Sequence, residues 1–227
     1  MGIMSDVEIT HSLESKELII HEFDKEFLNP ASYDARAGKQ IFKTRPGRGL
    51  TDISEKGVAI IEIGEFAIIS THESFELPKN IAGKIGLRSH YARKGIIILS
   101  GPQVDPGFKG ILTVGIYNVG PKDVAIPYLE PFCTIEFYKL TVPATKGYTG
   151  EYQNQIKIPS KDIEYFVEGK GATLAEVIQS VSGLSNSVNR LENTVNALKL
   201  SLWAIPVITT VVVTIVVAVL LWVFPRA

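Results

Sequence analysis

Hydrophobic positions along this chain follow three different periods, and each predicts a different element. From Leu202 to Phe224 the apolar run is continuous, LWAIPVITTVVVTIVVAVLLWVF, with no charged side chain. At 1.5 Å per residue such a helix is about 34 Å long, against about 30 Å of bilayer hydrocarbon, which predicts one membrane-spanning helix with modest tilt. Trp203 and Trp222 would then stand about 28 Å apart, one at each interface, where an amphipathic indole is best accommodated. Lys199 and Arg226 flank them. Pro206 is expected in the first turn, where its missing N–H costs least, and the hydroxyls of Thr209, Thr210 and Thr214 are expected to return to the preceding turn or to reach a neighbouring helix. No ionisable group of the kind that lines a water-filled pore lies inside the span.

Upstream the pattern switches to a 3,4 spacing through Leu174, Val177, Val181, Leu184, Val188, Leu191, Val195, Leu198 and Leu202. A seam this narrow, flanked by Ser, Asn, Gln and Arg, predicts a parallel coiled coil rather than a helix laid on a broad core face. Thr173-Leu-Ala-Glu176 reads as a capping box at its start, with Gly169 and Gly171 marking the joint before it. Valine at the a positions with leucine at d favours a dimer in such coils.

Before residue 170 the apolar residues come instead in short runs punctuated by Gly, Pro and Asn. Strands are predicted over Glu17–His21, Val58–Ile63, Phe66–Ser70, Ile96–Leu99, Gly110–Tyr117, Val124–Pro127 and Cys133–Leu140, with little helix before residue 172. Regularly spaced short strands with turn signals predict an all-β sandwich or barrel. The chain therefore divides into a head (1–168), a coiled-coil stalk (169–201), a transmembrane helix (202–224) and a short tail (225–227).

Charge narrows the functional classes. Lys and Arg number 23 against 24 Asp and Glu, for a net charge of −1 over 227 residues. A near-neutral head lacks the clustered positive charge with which proteins displace counterions from duplex nucleic acid. A single cysteine, Cys133, excludes an internal disulfide framework and a zinc site built from several cysteines, and it suits a reducing compartment. The N-terminus MGIMSDVEITHSLESKE has no basic stretch leading into an apolar run, so no signal peptide is expected. Asp6 stands where a myristoylation signal needs Ser or Thr. The expectation is a single-pass, tail-anchored membrane protein with a cytoplasmic N-terminal head.

Four blocks of the head, in order and at matching spacing, carry a resemblance. They are Leu28-Asn-Pro-Ala-Ser-Tyr-Asp-Ala-Arg-Ala-Gly38, Gly64-Glu-Phe-Ala-Ile-Ile-Ser-Thr-His-Glu73, Gly86-Leu-Arg-Ser-His-Tyr-Ala-Arg93 and Val104-Asp-Pro-Gly-Phe-Lys-Gly110. Over roughly residues 3 to 160 the chain resembles the dCTP deaminase and dUTPase superfamily, more closely its deaminase branch. The resemblance implies a distorted β-barrel assembled as a homotrimer, with a nucleotide at each subunit interface under a C-terminal flap. Against the dimer preference of the stalk, the larger globular interface of the head is expected to prevail.

Arg88, Ser89 and Arg93 can supply planar forks and a hydroxyl to a triphosphate. Asp105 precedes Pro106-Gly107, a rigid turn that can aim a carboxylate; in the dUTPase branch the matching Asp contacts the sugar and orients water. Asp34 matches an Asp that relatives use near a metal-bound triphosphate, which implies Mg²⁺ arriving with the phosphates, although an Asp capping a loop is the plainer reading. Tyr148-Thr-Gly-Glu-Tyr152-Gln-Asn-Gln155 resembles the flap.

The departures from that family are as informative. The deaminase branch carries a Glu ten residues beyond the Asp, as general base and proton shuttle, where this chain has Gly115. Losing such a base costs several powers of ten in rate, and the His-x-Glu and Pro-Cys-x-x-Cys signature of zinc deaminases is absent. Deamination is therefore not expected. Glu136 and Glu151 are acidic where relatives are neutral or basic, which would repel a triphosphate unless Mg²⁺ intervenes. Three functions follow: a non-catalytic nucleotide receptor signalling through the stalk, similar in architecture to prokaryotic antiviral effectors; a tethered dUTP diphosphatase using Asp105; or a trimeric membrane scaffold.

Overall fold

Most of the short apolar runs of the head pair into one curled antiparallel sheet wrapped around a common core. The computed structural model describes residues 2–44, 49–55, 57–167 and 174–223. In chain order these form β1 (Gly2–Ile3), α1 (Asp6–Glu14), β2 (Ile19–His21), a 3-10 turn (Lys25–Phe27), β3 (Leu28–Asn29), β4 (Ser32–Lys43), β5 (Leu50–Asp52), β6 (Val58–Ile61), β7 (Phe66–Glu76), β8 (Ile81–Leu87), α2 (Ser89–Ala92), β9 (Ile96–Ile98), β10 (Gln103–Val104), β11 (Lys109–Asn118), β12 (Val124–Pro127), β13 (Pro131–Lys139), α3 (Ser160–Val167) and α4 (Leu174–Val223). The main sheet runs β10-β8-β13-β4-β7-β11-β9, with β1, β2, β3 and β5 added at its sides, and β6 pairs with β12 in a separate ribbon. Side chains alternate about the pleat, so every second residue of β11 and β13 turns inward. The core collects Tyr33, Ile69, Phe75, Val114, Phe132 and Phe137, among others.

All seven predicted strands occur, with ends shifted by a few residues. Six further strands, β1, β3, β4, β5, β8 and β10, were not predicted, and β4 among them is the longest in the head. In β4 the reason is electrostatic: Asp34, Arg36 and Lys43 break the apolar pattern, and each finds its counter-charge elsewhere in the chain. Arg36 donates from Nε to Glu73 Oε1 at 2.6 Å, and its backbone N–H reaches Glu73 Oε2 at 2.9 Å. Tyr33 donates its hydroxyl to the same carboxylate at 3.3 Å. Lys43 pairs with Glu65 at 3.1 Å. Buried ions persist only when paired in this way.

Helix before residue 172 is more extensive than expected. Ser5 caps α1, accepting from Glu8 N–H while Glu8 Oε2 accepts from Ser5 N–H at 2.9 Å, a capping box that ties off two orphan donors. The helices α2 and α3 are also additions to the expected pattern.

His72, on β7 beside Glu73, lies edge-on to Tyr128 with centroids 6.2 Å apart. Burial first, and then the Arg36 charge, hold its pKa below the ordinary value. The folded state thus binds this proton less readily than the unfolded chain. The stability His72 contributes is present above about pH 6.5 and is lost as pH falls below that. Denaturant midpoints measured at about pH 7.5 and 5.5 should fall for the wild type, and the fall should be smaller in His72→Gln.

The chain separates into two compact units, residues 1–176 and 177–227. In the second, α4 continues unbroken to Val223. Pro206 therefore lies inside a helix, not in a first turn as expected. The hydroxyl of Thr210 donates to Pro206 O at 2.7 Å, and those of Thr209 and Thr214 bond back to Ile205 O at 3.0 Å and Thr210 O at 2.8 Å. Of the two alternatives expected for these threonines, the hydroxyls take the intrahelical one. By length and composition this helix is apolar enough to cross a membrane, its most apolar 18-residue stretch having mean hydropathy 2.5. The seam side chains are exposed along the single chain, Leu184 and Leu191 at 66% each. Thr173 of the expected capping box, Gly169, Gly171, Pro225, Arg226 and the side chains of Trp203 and Trp222 lie outside what is described.

Candidate functional site

A cleft of roughly 340 Å³ opens where the turn between β10 and β11 meets the segment after β13. Its floor begins at Asp105-Pro106-Gly107-Phe108. Phe108 N–H closes the turn onto Asp105 O at 3.1 Å, and Gly107 has φ +85°, the conformation a type II turn requires at that place. A side chain at Gly107 would also collide with the backbone of Gly147, 2.7 Å from an added Cβ. Gln103 donates from Nε2 to Asp105 Oδ1 at 2.7 Å, which orients the carboxylate on this rigid corner.

The chain after β13 forms the opposite wall. Tyr148 N–H bonds Pro106 O at 2.7 Å, and its ring stands edge-on to Phe108 with centroids 5.7 Å apart. Gln155 bridges to Gly110, and its carbonyl accepts from Ile111 N–H at 3.0 Å. Its side chain donates Nε2 to Ile111 O at 2.6 Å, which leaves Oε1 buried without a partner. An acceptor in that state is costly unless something supplies a donor. Tyr152 donates to Asp162 Oδ1 of α3 at 3.1 Å; burial first, and then the Asp162 charge, push the phenol pKa up. Lys161 sits 4.3 Å from the Tyr152 ring centroid and pairs with Glu151. The flap and α3 are thus fastened to each other.

Gly115 lies on β11 at the inner end of the cleft. Its N–H donates to Ser100 Oγ at 2.5 Å, and its carbonyl accepts from Leu99 N–H at 2.8 Å. A Cβ there would come within 3.2 Å of two ring atoms of Phe66 and 3.4 Å of Ser100 Oγ. The space beside Gly115 is held by the Phe66 ring, which itself lines the cleft.

The residues singled out from sequence fall in two places. Asp105, Gly115, Tyr148, Tyr152 and Gln155 line the cleft. Asp34, Arg88, Ser89 and Arg93 do not. Arg88 immediately precedes α2 and pairs from Nε with Asp34 Oδ2 at 2.9 Å, while Nη1 donates to Pro131 O at 3.3 Å. Ser89 and Arg93 are exposed at the two ends of α2. Asp34 sits inside β4, opposite Thr134, so the reading of it as a loop cap is corrected. Glu136 and Glu151 are not in the cleft: Glu136 accepts from Tyr138 OH at 2.5 Å, and Glu151 is neutralised by Lys161. Asp162, Phe66 and Ser100 were not anticipated. The spacing of Ile163 and Phe166 on α3 is the signal that would have turned Asp162 toward the cleft, whereas Phe66 and Ser100 reach it only through strand pairing.

Among the described residues no group of three or more His, Cys, Asp or Glu is arranged to hold a metal ion. Asp34, the residue the resemblance placed near a metal-bound triphosphate, has Arg88 as its partner instead.

Comparison with known proteins agrees with this architecture. A dCTP deaminase from Pyrococcus abyssi is 40% identical over 143 residues, spanning 63% of this chain and 90% of that one. A dCTP deaminase from Thermococcus gammatolerans is likewise 40% identical over 143 residues, 63% of this chain and 88% of that one. In fold, the head is similar to the crystal structure of 2'-deoxycytidine 5'-triphosphate deaminase from Agrobacterium tumefaciens, with TM-score 0.50 and 22% identity over 60% of this chain and 47% of that one. A family model described as dCTP deaminase-like matches residues 3–140, more than half of the chain, and the protein belongs to that family.

Proposed function

We propose that the protein is a membrane-tethered nucleotide receptor that does not deaminate: three heads assemble so that α2 of one copy faces the cleft of the next, and a deoxynucleotide binds at each seam. The observation that carries this reading is the composition of the cleft. It keeps a positioned carboxylate, Asp105, and an unpartnered acceptor, Gln155 Oε1, suited to a base that offers an N–H. At Gly115, the position of the family's proton-carrying Glu by resemblance, it has no carboxylate, and the adjoining space is occupied by an aromatic ring. The cationic groups suited to phosphate lie outside the cleft of their own chain, which a neighbouring copy would remedy. The exposed seam of α4 and its apolar continuation are suited to a coiled coil of the same copies leading to a membrane helix. Mg²⁺ would come with the phosphates.

One observation favours a second reading, a dUTP diphosphatase. Asp105 is held by Gln103 on a rigid turn, as a residue orienting water must be. The full chain in detergent, incubated with dUTP or dCTP and Mg²⁺, separates the two. A thermal shift without pyrophosphate supports the receptor; pyrophosphate release abolished by Asp105→Ala supports the diphosphatase; neither response leaves a scaffold. The shared site has its own test. Arg88→Ala and Asp105→Ala should each abolish binding, whereas co-expressed chains of the two kinds should recover about a quarter of the sites by random assortment in a ring. A site contained within one chain would recover none.

A further inference from the structure

An aromatic side chain joins the apolar wall of the cleft to α3. Phe66 opens β7 and lines the cleft, with its ring edge where a Cβ on Gly115 would come within 3.2 Å. The same ring is stacked on Phe166 of α3, centroids 4.6 Å apart and planes at 29°, and Phe166 also leans on Phe42 at 6.0 Å. Ile158, Ile163 and Ile68 complete this small apolar cluster, separate from the main core, and Ile68 also lines the cleft. The other attachment of α3 is polar and passes through the opposite wall of the cleft, by Tyr152 to Asp162 and by Lys161 to Glu151. Every contact just named either lines the cleft or leans on a residue that does. In sequence, α3 is the last head helix before α4.

We propose that Phe66 is a positioning residue coupling the cleft to α3: whatever fills the space beside Gly115 sets the Phe66 ring, and the ring sets how firmly Phe166 and α3 are seated. This rests on the receptor reading for its ligand but not for its mechanics. Close-packed rings transmit displacement because they cannot be compressed into their neighbours. The glycine is what lets the ring lie against the strand, so the absence of a side chain at 115 is itself part of the device.

The test is hydrogen–deuterium exchange of the full chain in detergent micelles, read over residues 158–167 with β13, which has no residue in this cluster, as the internal reference. Without ligand, Gly115→Ala should push the ring and speed exchange in α3 by about tenfold while leaving β13 unchanged. The double variant Gly115→Ala/Phe66→Leu, which makes room, should match Phe66→Leu alone. Unchanged α3 exchange in Gly115→Ala overturns the proposal, as does acceleration that persists undiminished in the double variant. With dCTP or dUTP and Mg²⁺, the wild type should show altered α3 exchange. Phe166→Leu, outside the cleft, should keep the thermal shift and lose that response. A response retained in Phe166→Leu, or binding by the wild type with α3 exchange unaltered, also overturns it. If no nucleotide binds, the receptor reading falls and the ligand-free comparison alone upholds or overturns the coupling.

Discussion

Gly115→Glu should not convert this protein into a dCTP deaminase. The wild type is expected to form no dUTP from dCTP, since a missing general base removes about 10²–10⁴-fold in rate and no carboxylate lies at that position. Restoring the acid alone should fail for a steric reason that the sequence does not disclose. The first atom of any side chain at 115 meets Phe66 at 3.2 Å, so a glutamate must displace a ring that is stacked on Phe166. Overpacking of this kind costs about 1–3 kcal/mol. At about 2–4 °C per kcal/mol for a domain of this size, the melting point should fall by roughly 2–12 °C. Adding Phe66→Leu should return part of that loss. Ammonia release and melting temperature, measured on the single and double variants, decide the matter. Deamination by Gly115→Glu alone would show that the ring yields and that the site is otherwise intact.

Arg36→Met should be the most destabilising single substitution among the ion pairs of the head. Glu73 is fully buried and Arg36 only 13% exposed, and the carboxylate also accepts from the Tyr33 hydroxyl and the Arg36 backbone N–H. Removing the guanidinium leaves a buried anion with neutral donors alone. Breaking a buried pair from one side costs about 3–5 kcal/mol. The melting point should drop by roughly 6–20 °C on the same scale. Glu73→Gln, which keeps acceptor and shape, should cost less than Arg36→Met, and the double variant less than the sum of the two, as coupled partners do. An Arg36→Met variant within about 1 kcal/mol of wild type would mean that water reaches Glu73 and the pair carries nothing. The Arg88–Asp34 pair makes a useful contrast. Its guanidinium is 35% exposed although Asp34 is only 12% exposed, so Arg88→Ala should cost less stability than Arg36→Met while also removing ligand binding.

Sequence alone was sufficient wherever the deciding interaction is local. The period of β12 is legible because Val124 and Ile126 alternate with exposed neighbours. The corner at Asp105 is legible because Pro106 fixes its own φ and Gly107 permits the positive φ that such a turn needs. The apolar run after Leu202 and the 3,4 seam before it needed only counting, and the four blocks between Leu28 and Gly110, taken in order, were enough to recognise the family. Even α1 was legible in principle, since Ser5 and Glu8 spell out its cap.

Only the folded head decides the rest, because charges and rings are completed by residues far away along the chain. The strand β4 looks too polar to be buried until Glu73, Glu65 and Arg88 are brought to its charged side chains. The residues singled out as one site separate into a cleft and an outlying helix, since α2 follows the end of β8 at Leu87 while β10, paired antiparallel with β8 at Gly83 and Lys84, carries Asp105 toward the other end of that strand. At Gly115 the sequence records only a missing carboxylate; the pairing of β7 with β11 sets Phe66 beside that gap, and the packing of α3 stacks Phe166 on its ring.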